Sequence, residues 1–213
     1  MIERAAYLVG VFSLFFLCSL AYSSDTIQCV MQPDKSCTLV LKEGAQPWLI
    51  YFNVSYVSDD EYVIKHITLI PPGDYQTCHT LEISDMAPVF KEDTVLLYAQ
   101  DINHDGFRDI WFVTDKGVAN TYAVYWLYDS GQNKFVLLDK YPWLMLNTDQ
   151  QTLQSFERHG HGGRIYTKNL YRFENQTLIL IEQEKQFWDS NNNQYIKKII
   201  KEPLIYSEPS TRF

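Results

Sequence analysis

The chain has 213 residues, a formal charge of −8 and 15% aromatic side chains, enough apolar material for one globular domain that buries roughly 70% of its unfolded surface. That composition excludes a disordered chain. The acidic balance, with no Lys/Arg stripe along the sequence, argues against a nucleic-acid binder and for a cation or a basic protein as partner.

At the N-terminus Arg4 precedes the apolar run "AAYLVGVFSLFFLCSLA", and Ala21 and Ser23 flank Tyr22 in an A-x-A-like pattern. Residues 1–23 read as a cleaved signal peptide, leaving 24–213 as the β-rich domain. A retained anchor or a lipoprotein fits less well, since the run is marginal for the ~20 residues a span needs and "FFL" before Cys18 is a poor lipidation context. The expected location is periplasmic or secreted, with membrane contact only through the signal before cleavage. Export implies an oxidising compartment, where Cys29 and Cys37, separated by "VMQPDKS", form the expected disulfide. Cys78, in "YQTCHTL", is then expected as a buried free thiol. No Cys/His quartet has zinc spacing.

Beyond the cysteines the pattern is one of short apolar runs with strand-forming residues. In order these are "CTLVLK", "WLIYFNVSYV", "YVIKHITLI", "TVLLYAQ", "DIWFVTD", "TYAVYWLYD", "KFVLLDKY", "TLQSFER", "GRIYTKNLYRF", "QTLILIEQEKQFW" and "QYIKKII". Between them "PPGD", "DSGQN", "HGHGG", "FENQT" and "DSNNN" carry the residues that tight turns need. The fold class is therefore mainly all-β: one domain, a curved antiparallel sheet or meander with an inserted calcium-binding loop. Runs apolar at successive positions, such as "AVYWLY", point to a sheet covered on both faces or curled on itself.

The loop is "DINHDGFRD". Asp101, Asn103, Asp105 and Asp109 offer side-chain oxygens at positions one, three, five and nine, Phe107 offers its carbonyl, and Gly106 permits the sharp turn. Three carboxylates in one turn repel one another without a cation, and an all-protein set of oxygens favours Ca2+ over magnesium. Position twelve, where an EF-hand has glutamate, is Phe112, so Asp109 is left to close the cage. The ion is expected to be structural, in a buried, saturated site. "DSNNNQ" from Asp189 has neither glycine nor a second carboxylate and reads as a hairpin turn.

The stretch "RHGHGGRIY" is the second candidate site. Two histidines do not make a zinc centre, whereas three glycines in four positions describe either a flexible connector or a protruding loop. In the second reading His161, Gly162, Gly163, Arg164 and Tyr166 form a partner-binding surface, because Arg and Tyr dominate interface hot spots. No nucleophile elbow, H-E-x-x-H, P-loop or dinucleotide fingerprint occurs, so no catalytic residue is assigned and a non-enzyme is expected. Sequence spacing leaves a paired-carboxylate glycosidase open, since the spacing that matters there is spatial.

From about Tyr62 to Trp188 the chain resembles a group of exported bacterial proteins with an FG-GAP-like calcium loop. That group is related to the periplasmic lysozyme inhibitors and includes immunity proteins against peptidoglycan-cleaving secretion-system effectors. The resemblance is carried by "DINHDGFRDIWFV", the hairpin "YAVYWLYDSGQNKFVLLDKY" and the glycine-rich turn into "GRIYTKNLYRFENQTLILIEQE". It implies one antiparallel β-domain with one calcium ion, no catalytic machinery, and a peptidoglycan hydrolase or lysozyme-like effector as partner. In such inhibitors a loop like S-G-x-x-Y enters the hydrolase cleft; here the matching positions are Gly162, Gly163, Arg164, Ile165 and Tyr166, with glycine in place of the serine. The competing expectation is a calcium-dependent adhesion or glycan-binding module. A single loop rather than a run of repeats argues against a propeller.

Overall fold

Strand-forming residues with turn residues at their ends dictate an antiparallel architecture, and the computed structural model of the chain has it. It describes residues 26–204 apart from 75 and 85, with side chains as far as 201; the signal peptide expected over 1–23 lies outside these residues. The strands are β1 (Ile27–Val30), β2 (Ser36–Leu39), β3 (Trp48–Tyr56), β4 (Glu61–Ile70), β5 (His79–Glu82), β6 (Val89–Phe90), β7 (Leu96–Gln100) and β8 (Asp109–Lys116). They continue as β9 (Thr121–Asp129), β10 (Lys134–Pro142), β11 (Met145–Asn147), β12 (Thr152–Gly160), β13 (Ile165–Glu174), β14 (Thr177–Asp189) and β15 (Gln194–Leu204).

Three antiparallel sheets result. The central one has the order β1-β7-β8-β9-β10, an outer one the order β2-β3-β4-β5 with β6 beside β4, and a distal one the meander β11-β12-β13-β14-β15. The central sheet is apolar on both faces because it is covered on both. Ile110, Phe112, Val124 and Trp126 point into a core shared with Ile50, Phe52, Ile64 and Ile67 of the outer sheet. Their chain neighbours Trp111, Ala123 and Tyr125 point the other way, against Leu153, Tyr171 and Leu180 of the distal sheet. Period-two alternation thus feeds two cores from one strand pair. The second core is aromatic: Trp111 stacks on Tyr98 and Tyr125 with centroids 5.4 and 5.9 Å apart.

All eleven runs read from the sequence are strands, and "DSNNN" is the β14–β15 turn. Reasoning from sequence missed β1, β5, β6 and β11, which have two to four residues each and are too short to show a period. Cys29 and Cys37 are joined, with Cα atoms 5.7 Å apart, which fits an oxidising, non-cytoplasmic compartment. Cys78, expected to be buried, is exposed. It lies in the irregular segment before β5 rather than on an inward strand position, so the general tendency of a free cysteine to be buried does not hold here. No helix among the described residues is long and apolar enough to cross a membrane.

Non-reducing peptide mapping should therefore recover a Cys29–Cys37 cross-linked peptide, while native protein takes up one equivalent of a thiol reagent at Cys78 with its melting temperature unchanged. Cutting the bridge with a Cys29→Ser, Cys37→Ser double variant should cost about 2–3 kcal/mol on the chain-entropy account of a loop this short. A cross-linked peptide containing Cys78 as the main species would overturn the assignment.

Candidate functional site

The loop 101–108 joins β7 to β8, and backbone donors arrange its carboxylates. Asp101 accepts from the N–H groups of Asp105 (3.1 Å) and Gly106 (2.9 Å), Asn103 Oδ1 accepts from the Asp105 N–H (3.2 Å), and Asp105 accepts from the Phe107 N–H (2.9 Å). The backbone is left-handed at His104 and at Gly106, where φ is 92°, a conformation that glycine adopts without steric cost. Asp101, Asn103 and Asp105 thus turn their oxygens onto amides of the same turn.

Asp109 is placed differently. It opens β8 and is fully buried, with one oxygen accepting from the Ile102 N–H (3.1 Å) and the other from the Tyr128 N–H (2.9 Å). Burial holds its carboxyl well above the usual carboxylate range, against the lowering effect of those two donors. Burial likewise raises Asp101, with the Asp105 charge adding to it. Among the described residues no ion pair reaches any of the three carboxylates, since the adjacent Arg108 guanidinium is turned away to donate to the Val40 carbonyl (3.1 Å).

The donors on offer are hard oxygens with no ion pair from a protein cation among the described residues, the type of donor a calcium ion takes. Asp101, Asn103, Asp105 and the Phe107 carbonyl would hold it. Asp109 would contribute through the lone pairs its backbone bonds leave free, since an ionised carboxylate offers about four acceptor sites. Among the described residues no three Asp, Glu, His or Cys side chains gather as a metal cage. Asp109 is turned to the Ile102 and Tyr128 amides. The site is also less enclosed than expected from the sequence, because Asp105 is exposed.

Three more contacts tie the loop to its surroundings. The Arg108 N–H donates to the Leu41 carbonyl (2.8 Å) next to the outer sheet. Phe107 lies against Tyr128 with ring centroids 5.4 Å apart, and Lys42 sits over its other face. Asn103 donates to Gln176 (2.8 Å) in the β13–β14 turn of the distal sheet. Local pattern carries no sign of these partners, which are up to 73 residues away.

The second candidate site is the tip of the β12–β13 hairpin, where 161–163 make one 3-10 turn. Gly163 has φ 86°, and a Cβ there would meet Arg158 Cδ at 3.3 Å. Arg164 is exposed, its guanidinium 5.8 Å from the Tyr195 ring centroid, and His161 Nδ1 is 3.2 Å from the Tyr195 hydroxyl. Trp188 completes the group, its ring 4.8 Å from that of Tyr195. His161, Gly162 and Arg164 are thus presented together. Tyr166 is not at the tip: it lies half-buried on β13, stacked against Phe156, with its hydroxyl donating to Glu184. Tyr195 and Trp188, 29 and 22 residues further on, were missed because strand pairing alone brings them here.

No family model matches the chain, and no curated protein matches it. Among solved structures it is similar to a Xanthomonas protein described as related to a type IV secretion system, with a TM-score of 0.54 and 14% identity over 82% of this chain and 94% of that one. The two share a fold.

The different placements of the loop carboxylates separate two variants. Measured by denaturant unfolding in chelator, Asp109→Ala should lose about 2–6 kcal/mol, because it strands two buried backbone N–H groups at roughly 1–3 kcal/mol each. Asp105→Ala should lose under about 1 kcal/mol there, as an exposed turn residue does. Equal losses would contradict the assignment.

Proposed function

We propose that this is an exported, calcium-stabilised inhibitor or immunity protein that blocks a lysozyme-like peptidoglycan hydrolase. The observation that carries the reading is the hairpin tip 159–164: it is exposed, projects from a rigid antiparallel pair, and holds Arg164 over an aromatic ring. The β12–β13 hairpin is fixed by a long register from Thr152↔Arg172 to Gly160↔Ile165, so little ordering remains to be done on binding. Glycosidase clefts are lined by a carboxylate pair, and a guanidinium entering such a cleft makes charge-assisted bonds stronger than neutral ones. Inhibition is then steric and electrostatic, with the chain itself contributing no reacting group. The secretion-related description of the structural neighbour and the disulfide support a periplasmic setting.

Calcium in this reading is structural. At a concentration a hundredfold above its dissociation constant it would add ~2.7 kcal/mol, which should raise the melting temperature by roughly 5–10 °C for a chain of this size. Protein verified metal-free whose melting temperature does not respond to added calcium would remove this part of the proposal.

Inhibition is tested by titration against a panel of lysozyme-like hydrolases, beginning with any encoded beside this gene. Arg164→Ala should weaken inhibition by about 2 kcal/mol or more, as hot-spot truncations do, at unchanged melting temperature. Tyr166→Ala should weaken it too but also lower the melting temperature, because that ring is packed and its hydroxyl bonded. Unaltered inhibition by Arg164→Ala would place the contact elsewhere. No inhibition of any hydrolase, with binding to glycan arrays instead, would favour the adhesion or glycan-binding alternative, which the neighbouring rings of Trp188 and Tyr195 would then serve.

A further inference from the structure

The acidic character of the chain is unevenly distributed. Residues 26–156 hold eight Lys and Arg against seventeen Asp and Glu, whereas residues 157–201, most of the distal sheet, hold eight against five. Cross-strand pairs share a face, so the register sorts these side chains. Leu153, Tyr171 and Leu180 pack inward against the central sheet. The pairs Arg158↔Tyr166, Tyr166↔Gln186, Gln186↔Lys197, Phe156↔Lys168 and Glu182↔Lys201 belong to the opposite, outward face.

Six cations stand on that face: Arg158, Arg164, Lys168, Arg172, Lys197 and Lys201. Its three carboxylates are already engaged, Glu174 with Arg172, Glu184 with Lys197 (3.0 Å) and Glu182 with Lys201 (3.2 Å). Arg158, Arg164 and Lys168 have no ion pair among the described residues. The two guanidiniums lie over Phe156 and Tyr195, each 5.8 Å from the ring centroid, and both arginines are exposed.

We propose that this outward face, continuous with the 159–164 tip, docks an acidic polypeptide surface, and that in the reading given above this surface is the rim of the hydrolase cleft. The partner's identity rests on that reading; its charge does not. Strand spacings of ~4.8 Å and rises of ~3.3 Å make the face from Glu182 to Trp188 about 20 by 14 Å across four strands. That is smaller than the ~800 Å² per partner of a stable interface, so the face and the tip are needed together. A polypeptide is favoured over a nucleic acid or sulfated glycan because the Glu182–Lys201 and Glu184–Lys197 pairs interrupt the run of free positive charge that a uniformly charged polymer follows. A protein surface can match discrete carboxylates to the cations and apolar groups to Phe156 and Ile199. The net charge of −8 suggests a basic partner; the face on which the cations gather reverses that expectation.

The test uses the calcium-loaded chain, immobilised, with poly-L-glutamate, heparin and any hydrolase it inhibits as probes. Lys168→Glu with Lys201→Glu should slow association with poly-L-glutamate and with the hydrolase at least tenfold in 50 mM salt, a difference that vanishes near 0.5 M as steering is screened. Lys65→Glu with Lys134→Glu, exposed positions outside the distal sheet, should change either rate less than twofold. If the reversal fails to fold, Lys168→Gln with Lys201→Gln carries the same test with a smaller expected effect. Rates unchanged by the distal variants, or slowed equally by the control pair, would overturn the proposal. Heparin bound more tightly than poly-L-glutamate through the same lysines would overturn it in favour of an anionic glycan. Poly-L-glutamate bound through this face with no hydrolase inhibited would support acidic docking and remove the hydrolase reading. Inhibition that ignores salt and the reversal would do the opposite.

Discussion

The Asp109 carboxylate is the interaction on which the rest depends. Buried at the start of β8, it accepts from Ile102 and Tyr128, and so fixes the exit of the 101–108 loop and its attachment to β9 at once. A buried carboxylate is costly to desolvate, and two backbone donors offset only part of that cost, as the upward displacement of its proton affinity shows. The remaining imbalance is negative charge in one turn that no ion pair offsets among the described residues. A calcium ion at Asp101, Asn103 and Asp105 would supply the missing charge where the chain already directs its oxygens.

The same loop links all three sheets. Arg108 binds the chain beside the outer sheet through Val40 and Leu41, Asp109 holds the central sheet, and Asn103 reaches the β13–β14 turn of the distal one. Order at the loop therefore bears on how firmly the distal sheet is held, and the distal sheet carries the hairpin tip and the cationic face. An ion held in the loop would, through these contacts, bear on a partner bound at the tip without touching it.

Local pattern revealed a good deal of this. The apolar runs of β8 and β9 signalled a sheet covered on both faces, and the oxygens of "DINHDGFRD" signalled the turn, because in both cases neighbouring residues carry the information. What the sequence concealed is set by pairing at a distance. The split into three sheets depends on which strand finds which neighbour, and β5 and β6 exist only because β4 offers an edge to pair with. Arg158, Lys168 and Lys197 look like scattered charges until the β12–β15 register lays them on one face. Tyr166 read as a free loop residue because its partner Glu184 lies 18 positions on. Cys78 read as buried because free cysteines usually are, a tendency that does not determine which way a residue in irregular chain faces.

Hydrogen exchange, followed residue by residue in calcium and in chelator, tests the central claim most directly. If the loop binds calcium and clamps three sheets, the ion must slow exchange at the Asp105, Gly106 and Phe107 amides. It must also slow exchange at the Arg108 amide bonded to Leu41, at the Tyr128 amide bonded to Asp109, and in the 174–177 turn that Asn103 contacts. Slowing confined to 105–107 would show a local ion site with no clamp, and no slowing anywhere would show that the carboxylates of this turn hold no calcium.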